Sequence, residues 1–372
     1  MKADLIIHGG TIHSMDPQQP SPEAVALSRD QIVGVGAKDE IMETFASDST
    51  VIVELQDGET LLPGFIEPHT HSTHIVFVRC NYIDCSAYNY STYEQIEAHF
   101  RSHIESIPVG SEEMCIFIGW DSEMLPSLPE LNFDTMDTIS TDIPFLVIGQ
   151  NCHVAWANRK AFQVVGVKED SIDPPGASYV RDATTGLLTG QMLELPAFMP
   201  FVSAKIKSKS APKVEDIEIA IEKQWQQFSS VGLTTVTELA YMPNALYDSL
   251  FQKIASEGNC SVRLALYQLQ SAATQSQIVQ SPMLWIAGRK FITDGSPHCG
   301  TAAVHEPYLK NEVTKQLMFP ADSPCGVLNF TREALLKRVA VEHAQGIQCA
   351  FHAHGERAIE QVLDVIEEVS PK

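Results

Sequence analysis

Near residue 63 the hydrophobic periodicity of this chain changes, and that change limits the folds open to it. Before it, Asp4–His8, Gly9–His13, Ala24–Leu27, Gln31–Val35 and Val51–Leu55 are short runs of β-formers, and the Gly9-Gly10 and Asp57-Gly58 pairs read as turns between them. A small all-β module over residues 4–62 is expected. After it, strands alternate with amphipathic helices, the pattern of βα units around a parallel sheet. A helix over 214–228 carries Ile217, Ile221, Trp225 and Phe228 on one face and leads into a strand over 231–239. A helix over 331–344, stopped by Gly346, leads into a strand over 347–353, and a last helix from Glu356 carries Ile359, Val362, Leu363 and Ile366 at helical spacing. Five consecutive βα units are expected over 63–84 and 212–372. The Pro-, Asp- and Ser-rich stretch between, about 85–211, is too long for a βα connection and reads as an inserted subdomain.

Composition narrows the function. The 372 residues, 44 % hydrophobic and 19 % charged, can bury a sizeable core and are far from the disordered class. Lys and Arg number 25 against 47 Asp and Glu, a net charge of −22 that repels phosphate backbones and acidic membranes. Neither nucleic acid nor a membrane is therefore expected as a partner. No apolar run approaches the roughly 20 residues that cross a bilayer. Asp4 and His8 sit where a signal peptide needs an unbroken apolar stretch. Eight cysteines, at 80, 85, 115, 152, 260, 299, 325 and 349, form no Cys-x-x-Cys pair. Free thiols and a cytoplasmic location are the expectation.

Three segments can carry chemistry. In Leu61–His71, alternation along an extended backbone sends His69 and His71 to one side, close enough to share a metal ion; His74, three residues on, reads as a third ligand or, in preference, as a loop histidine near a pocket. Such a pair also occurs on plain surfaces. In Trp285–Gly295, a strand would place Lys290 and Asp294 on the same face as Ile286, Gly288 and Ile292. A lysine buried there needs a partner or a function, although an edge strand with Lys290 in water accounts for the same residues. In Ile347–Gly355, His352 and His354 share a face at the C-terminal end of a strand, the end that carries the active site in parallel βα folds.

Taken together, several segments in order resemble the amidohydrolase superfamily, specifically the amidohydrolase family 3 or YtcJ-like group. They are Ala3–Ile12, Leu62–His71, His153–Asn158, Asp173–Gly176, Gly186–Glu194, Gly232–Val236, Lys290–Ser296 and His352–Gly355. The resemblance implies an α/β fold, a partial (β/α)8 TIM barrel of the metal-dependent hydrolase type with a small β-sandwich domain to which residues 1–62 contribute. It implies one or two divalent ions, zinc foremost, held by His69, His71, a carboxylated Lys290 and His352. The activity implied is hydrolysis of carbon–nitrogen bonds other than peptide bonds in a small amide or cyclic amide, by metal-activated water. The insertion is expected to shape the pocket, with His153, Glu194 and His298 as lining candidates. Three departures accompany it. The strand-six histidine and strand-eight aspartate of the family pattern have no counterpart here, leaving Asp294 and His354 as candidates for the acid–base role. Glu67 and Glu356 stand where aspartate is usual, and the C-terminal share of the sandwich is missing. A second expectation follows, a truncated relative without turnover that binds metal or a partner.

Overall fold

The structure, a computed structural model, describes residues 1–174, 177–206, 212–258, 260–272, 274–311, 313–314, 319–320 and 323–370. Pro175 and Gly176 of the Asp173–Gly176 motif, and residues 207–211 at the end of the expected insertion, lie outside them. The chain divides into two compact units, Met1–Glu67 with Phe228–Val236, and Pro68–Gln227 with Thr237–Lys372.

In the first unit, β1 (Leu5–Ile12), β2 (Ala24–Ser28), β3 (Gln31–Gly36) and β4 (Val51–Leu61) form a sheet in the order β3-β2-β1-β4. Strand β1 runs antiparallel to β2 and parallel to β4. The module is not all β. Helix α1 (Lys38–Phe45) buries Ile41 against Ile6, Ala24 and Ala26. Its N-cap, Ala37, offers no side-chain cap, so the usual start signal is missing from the sequence. The two glycine pairs are not turns either. Gly9 pairs with Leu55 and Thr11 with Thr60, so residues 56–59 face Gly10 alone in a bulge within two continuous strands. Gly10 has φ +54°, and a Cβ there would stand 2.6 Å from the Glu59 carbonyl oxygen.

Strand β5 (Phe65–Thr70) and helix α2 (Ser72–Asn81) lead into a mixed sheet of six strands. These are β6 (Ile83–Asp84), β7 (Cys115–Trp120), β8 (Phe145–Gly149), β9 (Val154–Ala157), β10 (Ser178–Arg181) and β11 (Leu188–Leu193), in the order β10-β11-β9-β8-β7-β6. Pairing is parallel from β6 to β8 and antiparallel beyond. Strands β7 and β8 are apolar almost throughout, as strands covered on both faces must be. Helices α3 (Tyr93–Glu105), α4 (Phe133–Asp137), α5 (Arg159–Val165) and α6 (Leu195–Ile206) accompany this sheet, and Ile96, Phe100, Phe133, Phe162, Phe198 and Phe201 fill its two cores.

The partial barrel follows. After α7 (Val214–Ser230) come β12 (Leu233–Tyr241), α8 (Ala245–Ser256), β13 (Arg263–Leu269), β14 (Leu284–Ile292), α9 (Arg332–Ala344), β15 (Gln348–His352) and α10 (Glu356–Val369). The sheet order is β5-β12-β13-β14-β15, with β13, β14 and β15 paired in parallel. Two details depart from the sequence reading. Residues 270–283, between β13 and β14, contain no helix among the described residues. In α10 the buried face is Ala358, Gln361, Val362 and Val365, packed near Leu335 and Val339 of α9, while Ile359, Leu363 and Ile366 are exposed.

Gly288 on β14 lies between Tyr267 of β13 and Gln348 of β15. A Cβ there would stand 2.3 Å from the Gln348 carbonyl oxygen and 2.5 Å from the Tyr267 ring. Because backbone cannot yield as a side-chain tip does, Gly288→Ala is expected to cost about 1–3 kcal/mol, the usual penalty of overpacking. Thermal unfolding reads this as a lowered Tm; an unchanged Tm would mean that the strands separate without cost.

Candidate functional site

The sequence-derived metal candidates lie on the barrel strands and the segments that follow them, in two groups: His69 and His71 on and after β5, and Lys290 and His352 on β14 and β15. His69 is the penultimate residue of β5 and His71 is the N-cap of α2, with ring centroids 5.3 Å apart and planes at 85°. Beneath His71 lies Glu238 of β12, only 1 % exposed, with Oε1 3.7 Å from His71 Nδ1. The same oxygen accepts the Ala240 N–H at 2.7 Å, and Oε2 accepts the Thr73 N–H at 2.7 Å and the Ser72 hydroxyl at 3.3 Å. Burial alone would raise the Glu238 pKa, but the His71 side chain and the Thr73 and Ala240 amides outweigh it and hold the carboxyl below its ordinary value. His74 is pushed down, first by burial and then by the charge of His71, with Glu238 opposing. Sequence reasoning missed Glu238. The available signal was a carboxylate at a buried position of β12, two residues on from the buried Val236.

Across the sheet, Lys290 of β14 is 4 % exposed, and burial lowers its pKa. Among the described residues it has no carboxylate within ion-pair distance. Pairing in register sets Lys290 beside Ala350 and Ile292 beside His352, so the lysine and the histidine come from adjacent strands. His352 Nε2 lies 2.9 Å from the Gly295 carbonyl oxygen. A carbonyl only accepts, so Nε2 carries the hydrogen and Nδ1 keeps its lone pair. His354 Nδ1 reaches the same oxygen at 3.1 Å, and the two rings stand 4.3 Å apart. Burial lowers the His352 pKa; Gly295 and Asp294 oppose, while His354 and Lys290 add to the lowering.

Asp294 is 1 % exposed and serves as a loop anchor. Its Oδ1 accepts the His354 N–H at 3.0 Å, and its Oδ2 accepts those of Ala303 at 3.0 Å and Gly355 at 2.7 Å. It also lies 3.7 Å from His352 Nε2. The three backbone bonds use both oxygens to hold the loops after β14 and β15.

The sequence-derived pocket residues divide in two. His298 lines a pocket of about 560 Å³ together with Trp120, Asp121, Asn151, Gln191 and Leu193. His153 and Glu194 meet instead in a hydrogen bond of 2.9 Å between Nδ1 and Oε2, close to Cys299. Among the described residues, these three are the set of His, Cys, Asp or Glu side chains whose ligating atoms all lie within 4.8 Å of one another; His69, His71 and His352 do not form such a set. The hydrogen bond to Glu194 raises the His153 pKa against burial. For Glu194, burial acts upward, but His153 and Cys299 outweigh it and the net shift is down. Cys299 is pushed well up by burial and then by Glu194.

A family model described as "Amidohydrolase family" matches residues 57–372. Among curated relatives, the putative amidohydrolase YtcJ of Bacillus subtilis (strain 168) is 26 % identical, over 100 % of this chain and 67 % of its own. The N-substituted formamide deformylase of Arthrobacter pascens is 24 % identical, over 98 % of this chain and 66 % of its own. The exoenzymes regulatory protein AepA of Pectobacterium carotovorum subsp. carotovorum is 22 % identical, over 97 % of this chain and 76 % of its own. A solved structure, an uncharacterized metal-dependent hydrolase from Pyrococcus horikoshii OT3, superposes with a TM-score of 0.65 at 22 % identity, over 98 % of this chain and 68 % of that one. The chain thus spans about two thirds to three quarters of these proteins' lengths.

Proposed function

This chain belongs to the amidohydrolase family, and on that premise we propose that it is a metal-dependent hydrolase of carbon–nitrogen bonds other than peptide bonds, acting on a small amide or cyclic amide. The observation that carries the reading is Lys290, a buried ammonium with no ion-pair partner among the described residues, one strand from His352. Burying an isolated charge is costly. Carboxylation turns that lysine into an anionic oxygen ligand, and the donor set then reads two imidazoles from His69 and His71, the carbamate of Lys290, and Nδ1 of His352. Neutral imidazole and carboxylate-type oxygen suit zinc. One or two ions held there supply Lewis-acid polarisation of the substrate and water acidic enough to react near neutral pH.

The chain's own residues supply the rest. Glu238 orients His71, as carboxylates do behind metal-ligating histidines. Gly295 fixes the His352 tautomer. Asp294 holds the segment carrying His352 and His354 against the loop after β14, which makes it a positioning residue. His354, exposed beside His352, is the side chain available to hold or return a proton. The relative named for deformylating N-substituted formamides supports a small-amide substrate. The eight cysteines are free, which supports a cytoplasmic location, and no helix among the described residues is long and apolar enough to cross a membrane.

The test is a panel of N-substituted formamides and cyclic amides offered to the zinc-loaded chain with bicarbonate present. Amine release that a chelator abolishes and that bicarbonate omission lowers is the expected result. Binding of zinc with no turnover on the whole panel would favour a metal-binding chain without hydrolysis.

A further inference from the structure

A second group of metal-ligating side chains lies outside the set just described and shares no residue with it. His153 immediately precedes β9, Glu194 immediately follows β11, and Cys299 closes the 3-10 turn Pro297–Cys299 after β14. One ligand atom from each lies within 4.8 Å of the other two, and His153 Nδ1 to Glu194 Oε2 is 2.9 Å. Zn–N and Zn–S bonds of about 2.0 and 2.3 Å at a tetrahedral angle separate the ligand atoms by roughly 3.5 Å. We propose that His153, Glu194 and Cys299 form a second metal site, taking a borderline-soft divalent ion such as Zn²⁺ through three protein ligands and leaving a fourth position open.

The backbone at the site is set for this convergence. Glu194 and Cys152, the neighbour of His153, both adopt left-handed conformations, at φ +66° and +59°. Such conformations cost non-glycine residues about 1–3 kcal/mol and persist where the surroundings impose them, often at ligand sites. The Glu194 N–H donates to the His153 carbonyl at 2.7 Å, which locks the two ligand-bearing backbones together. The thiol faces a carboxylate and its pKa is raised, so a nucleophilic role for Cys299 is disfavoured. On binding, the ion takes the place of the thiol hydrogen and of the hydrogen between His153 Nδ1 and Glu194: the thiol proton leaves to solvent, the imidazole hydrogen moves to Nε2, and the thiolate becomes a ligand with no change in oxidation state. Asn151, Val154, Leu193 and His298, which flank the three ligands in sequence, line the 560 Å³ pocket, so the site borders a space large enough for a small ligand.

Cobalt(II) distinguishes this site from the first, because His69, His71, Lys290 and His352 offer no sulfur. Titration of chelator-treated full chain with cobalt chloride is expected to produce a thiolate-to-cobalt charge-transfer band. The band should persist in His69→Ala, vanish in Cys299→Ser, and require at least about tenfold more cobalt in Glu194→Gln, since even an outer-shell loss costs that much. No band in the parent chain, or a band retained in Cys299→Ser, would overturn the proposal and leave the hydrolase reading standing. A measurement on the parent chain guards against a misfolded variant: Zn²⁺ should slow iodoacetamide modification of Cys299, read by peptide mass spectrometry. Equal modification with and without zinc would also overturn it.

Discussion

Asp294→Ala is expected to lose about 3 kcal/mol or more of folding stability, the largest effect of any single substitution in the site. Three backbone N–H groups, those of Ala303, His354 and Gly355, converge on its carboxylate, which is 1 % exposed. Ala303 and Gly355 are themselves buried, so water cannot replace the lost acceptor there. A buried donor left unsatisfied costs about 1–3 kcal/mol, and at least two are orphaned. Against a total stability of about 5–15 kcal/mol that is a large share. Asp294→Asn keeps one acceptor but turns an NH2 toward amides that donate, so it recovers only part of the loss. Denaturant unfolding of both variants checks the order. Equal stability of Asp294→Ala and the parent would show that the loops after β14 and β15 are held by something else.

Lys290→Met is expected to act in the opposite direction on stability and to abolish function. The lysine is 4 % exposed, its pKa is lowered by burial, and among the described residues no carboxylate offsets its charge. Replacing it with an apolar side chain of similar length removes that desolvation cost, so unfolding should be neutral or shifted upward. Hydrolysis, measured on any substrate the parent accepts, should fall by at least about a hundredfold, since losing a metal ligand costs no less than losing its outer-shell support. Gained stability with lost activity is the signature of a residue kept for function. A variant that keeps its activity would remove Lys290 from the metal set.

Much of the barrel was legible because alternation and helical spacing report burial directly. In β14 the alternation that put Lys290 on the face of Gly288 agrees with their shared burial, because a central parallel strand leaves no solvent side for a lysine. The helix over 356–369 was legible as a helix but not in its facing. Its apolar residues occupy more than one stripe, and the neighbours on α9 select Ala358, Val362 and Val365 while leaving Ile359 and Leu363 exposed. Local pattern cannot carry that choice. The Gly9-Gly10 pair misled for a related reason: glycine licenses a positive φ without saying whether the strand turns or bulges, and pairing with β4 decides. Within the site, the histidines announced themselves by type and spacing, whereas Glu238 and Cys299 gain meaning only through partners 167 and 105 residues away in sequence, His71 and Glu194.

Metal content of the purified chain in a Cys299→Ser background tests the central claim most directly, because that background removes the second site and leaves His69, His71, Lys290 and His352 to act alone. Elemental analysis after zinc loading and desalting should find at least one equivalent of zinc, lost when His69→Ala is added. Absence of bound zinc, or the same zinc content with and without His69, would contradict the account.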